Sequence, residues 1–326
     1  MITRRTLLAR ASVATTLAAL GPTVNAQAGK PLRIVIGFPG GVVTDNVARV
    51  LGEELRSSYP AGVIVEGKVG AGGRIAVEFV KRAEDDGSTI LLTPSSIMSI
   101  YPHVYSKLGY DPLVDFKPVS AVASFNFAIT VGPAVPATVK TLPEFIQWVR
   151  EDVPTRAKYG VPAAGAPPHF IGTLLAKATN VPFVVVPYKG GAPLIQDLLG
   201  GHVPAGIDPV SNTLPYHQSG KLRTLAVTSS KRLPVLADVP TVGEYKLEGL
   251  VATEILAVYV PARVPAARVQ KLHEEIAVAV DRSKGKFAAL LVNPERMNPA
   301  ELDAFTRSET DRWKTVVAAS GFKSEE

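Results

Sequence analysis

Apolar runs of strand length alternate with segments of helical period along most of this chain, and that rhythm restricts the fold more than any other feature. Residues 32–38 read as a strand, 44–57 as a helix, 63–66 as a strand, 73–83 as a helix and 89–93 as a strand. This order implies a parallel sheet, whose strands are apolar on both faces. The pattern then starts afresh: strand 127–131, helix 142–150, strand 158–161, helix 169–178, strand 183–187, helix 193–199 and strand 222–228. Strand 255–260 and helices 266–282 and 299–319 do not make a third unit of this kind, so they are expected to return and cover the first. The predicted class is α/β with two domains, 27–128 plus 252–326 and 129–251, joined by chain crossings near 125–132 and 249–256. Two crossings make a hinge, and a hinged pair of α/β domains encloses a cleft at the carboxyl ends of its strands.

The first residues stand outside this rhythm. Arg4 and Arg5 open a basic start, an uncharged run follows from Ala11, and Gly21-Pro22 breaks it before an Ala-x-Ala-like end. Residues 1–26 therefore read as an export signal, of the twin-arginine or the general secretory type, with cleavage after Ala26 or Ala28. The run is too short and too weakly apolar for a permanent span. Cleavage removes three arginines, Arg4, Arg5 and Arg10, and takes the formal net charge from +6 to +3. Nucleic-acid binding then has no compositional support, since no block of five Lys or Arg occurs and 7% of residues are aromatic. With no cysteine there is no disulfide, thiolate metal site or Cys nucleophile. Residues 118–139 are uncharged and long enough to raise the question of a membrane, but Asn126, Gly132, Pro133 and Pro136 argue for a strand and a crossing segment. A soluble exported protein, monomeric and without a cofactor, is expected.

Gly40-Gly41 sits where the first strand ends and a helix begins. Backbone N–H groups there lack intrahelical partners, and with the positive end of the helix dipole they suit an anion. The device recurs at Gly70-Ala71-Gly72-Gly73, at Pro94-Ser95-Ser96, at 163–168 and at Tyr188-Lys189-Gly190-Gly191. Any one of these turns can be plain turn chemistry, and Thr44 or Asp45 a helix cap; several of them facing one cleft favour a ligand. His169 either caps a helix or meets the ligand, and Asp208 with Asn212 either bonds the hinge or does. No Gly-Lys-Ser/Thr follows the glycines and no G-x-G-x-x-G occurs there, which excludes the usual nucleotide loops. No G-x-S-x-G elbow exists, and the histidines at 103, 169, 202, 217 and 273 lack metal-ligand spacing. A hydrolase using Ser95 or Ser96 with His169 and Asp208 has no support in the spacing, so no enzyme is expected.

These residues carry a family resemblance. Phe38-Pro39-Gly40-Gly41 with Thr44-Asp45, Gly70-Ala71-Gly72-Gly73, Tyr110-Asp111-Pro112 with Asp115-Phe116, Val186-Pro187-Tyr188-Lys189-Gly190, and Leu225-Ala226-Val227-Thr228-Ser229 with Asp238-Val239-Pro240-Thr241 resemble the Bug family, the extracytoplasmic receptors of tripartite tricarboxylate transporters. The resemblance spans essentially all of the mature chain. It implies a Venus-flytrap periplasmic-binding-protein fold, with two mixed sheets joined by a two-strand hinge, that closes on a small carboxylate and hands it to a membrane permease. A sensor that presents the same ligand to a membrane signalling protein would use the same cleft. Carried over by position, the resemblance puts Phe38, Gly40, Gly41, Val42, Thr44 and Asp45 on the first binding loop and Ser95 and Ser96 on the third-strand turn. Ala163, Ala164, Gly165 and His169 fall on the second domain's loop, and Tyr188, Lys189, Gly190 and Asp208 on later turns. The chain departs from the family where Val42-Val43 replace glycine and where 161–167 lacks hydroxyls. Valine resists positive φ, so the first loop is expected to differ in conformation, and a more apolar wall suggests a ligand with an apolar or aromatic body rather than a citrate-like one.

Overall fold

The computed structural model describes residues 29–322, so the export signal read at 1–26 lies outside the described residues. Strands β1 (Leu32–Ile36), β2 (Val63–Gly67) and β3 (Thr89–Pro94) pair in parallel, as their helical crossovers require. They continue through β4 (Phe116–Val131), β5 (Lys158–Val161), β6 (Val184–Pro187), β7 (Ala205–Pro209), β8 (Arg223–Val227), β9 (Thr253–Pro261) and β10 (Asn293–Pro294). The hydrogen-bonded order is β2-β1-β3-β9-β4-β7-β5-β6, with β8 and β10 also on β4. Two mixed sheets thus meet on one shared strand, in a single hydrogen-bonded path.

β4 is that shared strand. Its residues 116–126 pair antiparallel with β9, and from Phe127 onward it pairs antiparallel with β7 and β8. The sequence suggests a strand beginning at Phe127; the observed strand starts at Phe116 and takes in Pro118, Ser120, Ser124 and Asn126. Each of these is accommodated. Pro118, which has no N–H to donate, sits at a register shift. Ser124 Oγ donates to Glu295 Oε1 at 2.7 Å, and Asn126 Nδ2 donates to the Ala252 carbonyl at 3.1 Å. The uncharged stretch at 118–139 is therefore mostly sheet, and no helix among the described residues is long and apolar enough to cross a membrane.

The helix Val43–Leu55 buries Val47, Ala48, Leu51 and Leu55 in a core shared with Leu32, Ile34 and Ile36 of β1. Each large apolar side chain among them contributes about 1.5–3 kcal/mol. In the last third β9 pairs between β3 and β4, and the helix Ala266–Arg282 adds Leu272, Ile276 and Ala279 to the same core. The last helix, Pro299–Ser320, and the residues after it also reach the other half-sheet, with Trp313 against Phe170 and Phe322 against His169 (ring centroids 5.8 and 4.9 Å apart).

Candidate functional site

The pairing directions decide where a site can form. In one half-sheet β4 runs with β1 and β3, since it opposes β9 and β9 opposes β3. In the other, β5, β6 and β7 run against β4. The carboxyl ends of both parallel sets therefore converge on the switch between Asn126 and Phe127, the position at which open α/β sheets bind ligands. Asn126 faces Thr253 and Phe127 faces Pro209 in the register. Thr228 laces the crossing together: its Oγ1 donates to the Ala252 carbonyl at 2.7 Å and accepts from the Phe127 amide at 3.0 Å.

On the first loop the left-handed position is Gly41, at φ +86°, whereas Val42 sits at φ −82° in extended backbone. The two valines are thus compatible with the turn, the positive φ falling on the glycine before them. Gly37 explains the paired glycine loops. A Cβ there would lie 2.5 Å from Gly73 Cα, so the first and second turns touch backbone to backbone. Thr44 and Asp45 are buried, and Val42 rather than either of them is the N-cap residue. Asp45 reaches back instead: its Oδ2 accepts from the Gly41 amide at 2.9 Å and from Arg49 Nε at 2.9 Å. Burial alone would raise this carboxyl, but Arg49 and the Gly41 amide outweigh it and hold it below its ordinary value.

Ser95 and Ser96 follow β3 directly and are both buried. Their donors are already engaged. Glu254 of β9, 5% exposed, accepts from Ser95 Oγ at 2.9 Å and from the Ser96 amide at 3.1 Å through its Oε1. Desolvation pushes Glu254 up to about 7, with Glu309 adding and the two serines opposing. Ser95 thus donates to a carboxylate, not to an imidazole, which removes the arrangement a serine nucleophile would need. Ser95, Ser96, Glu254, Phe127, Pro167 and Trp313 surround a cavity of about 10 Å³, room for one water.

In the second half-sheet the turns after β5 and β6 are stitched together by Tyr188 N to Val161 O and Gly190 N to Pro162 O, both 2.9 Å. Gly165, at φ +70°, donates its amide to His169 Nδ1 at 3.2 Å. His169 is therefore a bonding partner of its own loop, and burial lowers its basicity. Ala163 is half-buried and Ala164 exposed. Lys189 and Gly190 are exposed, while Tyr188 turns sideways and donates its hydroxyl to Asp197 Oδ2 at 2.8 Å. Asp208 is fully buried under the next turn: a Cβ on Gly191 would lie 2.9 Å from its Oδ2. That oxygen accepts from Asn212 Nδ2 at 2.9 Å, and Oδ1 has no partner among the described residues. Desolvation pushes Asp208 up to about 7.

Three of the predicted anion-binding turns thus carry a buried acid of their own: Asp45, Glu254 and Asp208. Glu254 lies opposite Phe125 and Asp208 opposite Ala128, on either side of the switch. The sequence reading names Asp45 and Asp208 and does not single out Glu254. The available signal was a single acid in the otherwise uncharged run 249–261 that includes it, at the edge of an apolar strand. Among the described residues no group of three or more His, Cys, Asp or Glu could hold a metal ion.

Known structures share this architecture. Rpa4515 of R. palustris, solved with adipate, is 29% identical and superposes with a TM-score of 0.82 over 90% of this chain and 98% of its own. MatC (Rpa3494) of Rhodopseudomonas palustris, solved with bound malate, is 27% identical with a TM-score of 0.77, over 88% of this chain and 98% of its own. The fold is therefore that of the two-domain periplasmic binding proteins. The family profile described as tripartite tricarboxylate transporter family receptor matches residues 47–322, and the chain belongs to that family. BugT of Bordetella pertussis is 30% identical over 95% of both chains. The family is one of periplasmic substrate-binding receptors, not enzymes.

Proposed function

We propose that this chain, exported and freed of residues 1–26, captures a small carboxylate in the cleft between its two domains and delivers it to a tripartite tricarboxylate-type membrane permease. The observation that carries the reading is the convergence of both sets of strand ends on the Asn126–Phe127 switch. The ligands of Rpa4515 and MatC, adipate and malate, support the chemical class. The domains are 27–128 with 252–326 and 129–251, hinged at 125–132 and 249–256. The ligand's carboxylate is held by the first loop, Phe38 to Asp45, and by the turn at 163–166, whose helix has no acid in its first turn. Tyr188, Lys189 and Gly190 close the second wall, and Asp45 and Asp208 stiffen their turns from behind.

The test is a thermal-shift titration of mature protein, refolded free of ligand, with carboxylates. Saturation at about a hundred times Kd adds about 2.7 kcal/mol and raises the melting point by several degrees. Gly40 is exposed, and a Cβ there would touch nothing closer than Asp45 Oδ2 at 3.8 Å. Gly40→Glu therefore leaves the fold intact while setting a carboxylate on the loop, and it abolishes the shift. An undiminished shift in Gly40→Glu moves the site elsewhere.

A further inference from the structure

We infer that Glu254 is a specificity-determining residue that keeps a second ligand carboxylate out of the third-strand turn, so that this receptor takes monocarboxylates in preference to dicarboxylates. The inference rests on the carboxylate reading above and deepens it. A diacid spanning the cleft would present its far carboxylate to donors on the opposite wall. In this chain the donors that end β3, Ser95 Oγ and the Ser96 amide, are both given to Glu254 Oε1, at 2.9 and 3.1 Å. Glu254 is 5% exposed and comes from a different strand, 158 residues away from Ser96, so the pairing is a feature of the folded site.

A ligand oxygen placed to accept from Ser96 would lie within about a hydrogen-bond length of Glu254 Oε1. Two carboxylates at that distance cannot both stay ionised. Nor can Glu254 easily withdraw. Glu309 lines the same cavity, and Arg312, the cation there, is bound to Glu309 at 3.1 Å and to the Val251 carbonyl at 3.0 Å. The remaining lining, Phe127, Ala252, Pro167 and Trp313 among it, adds no cation that could offset a second carboxylate. The apolar character of Ala163 and Ala164 points the same way.

The experiment compares matched pairs of equal length, hexanoate with adipate and 4-methylbenzoate with terephthalate, by calorimetric titration of ligand-free mature protein at about pH 8.5, where Glu254, pushed up to about 7, is ionised. The wild-type chain is expected to bind the monoacid of a pair at least about tenfold more tightly than the diacid. Glu254→Gln keeps the shape and an acceptor for both serine donors but removes the charge, and Glu254→Ser shortens the side chain and removes the charge together. In either variant the ratio of diacid to monoacid affinity rises at least about tenfold. A wild type that prefers the diacid overturns the inference and leaves the carboxylate receptor standing, as does a ratio unmoved in both folded variants. A wild type that binds none of the four but takes malate or glutamate, both diacids, likewise overturns the inference and leaves the receptor standing, whereas one that binds no carboxylate at all overturns both.

Discussion

Replacing Glu254 by glutamine should change how stability depends on pH, and the direction follows from burial. In the fold this carboxyl is pushed up to about 7, first by desolvation and then by Glu309, against an ordinary value of 4.5. Between those values the folded chain keeps a proton that the unfolded chain has released, so the native state binds more protons and loses stability as pH rises. At about 1.4 kcal/mol for each pH unit, the full loss across the window is about 3 kcal/mol. Below pH 4.5 both states are protonated and the cost vanishes. A glutamine amide in the same place would still accept from Ser95 and Ser96 without titrating. Asp208 produces a slope of the same sign in both proteins, so it cancels from their difference. Urea unfolding at intervals from about pH 4 to pH 8.5 measures the effect. Glu254→Gln should gain on the wild type progressively between about pH 4.5 and 7, then hold its advantage. Parallel curves, or a variant that loses ground as pH rises, would refute the burial argument.

Other substitutions test the frame around the cleft. A Cβ on Gly172 would lie 2.0 Å from the Tyr159 ring, so Gly172→Ala should destabilise the fold by about 1–3 kcal/mol in denaturant melts. Asp45→Ala frees the Gly41 amide and Arg49, and it should weaken ligand binding measured by calorimetry while costing about 1 kcal/mol of stability. Phe322→Ala removes the ring that meets His169 and Phe170, and faster hydrogen exchange at 165–170 is the expected result. Trp148 and Trp313 are the two tryptophans, and Trp313 touches the cavity at the crossing. In Trp148→Phe the remaining fluorescence should shift on saturation with ligand.

Much of this fold was legible because local pattern and final pairing agree. The helices at 142–150 and 266–282 fall where their apolar period puts them, and the first, with Thr141 and Glu144 forming a capping box, carries its own start signal. β4 was half hidden, since Ser120, Ser124 and Asn126 look like breaks until hydrogen-bond partners, for the last two remote in sequence, satisfy them. The helix Val210–Gln218 was missed because Pro215 lies inside it. At the site the glycine turns could be read, but their use could not. That Gly41 and Ser96 donate to the chain's own acids depends on the Asp45 rotamer and on where β9 lands, and the latter comes from sheet order. Sequence spacing does not carry that information.

The claim that a single carboxylate is held between the two domains is tested most directly by calorimetric titration of ligand-free mature protein with adipate, malate, hexanoate, benzoate and glutamate. The account predicts one saturable site per chain for at least one of them, lost in Gly40→Glu. Heat of binding from none of the five, in protein shown to be folded and empty, would contradict it.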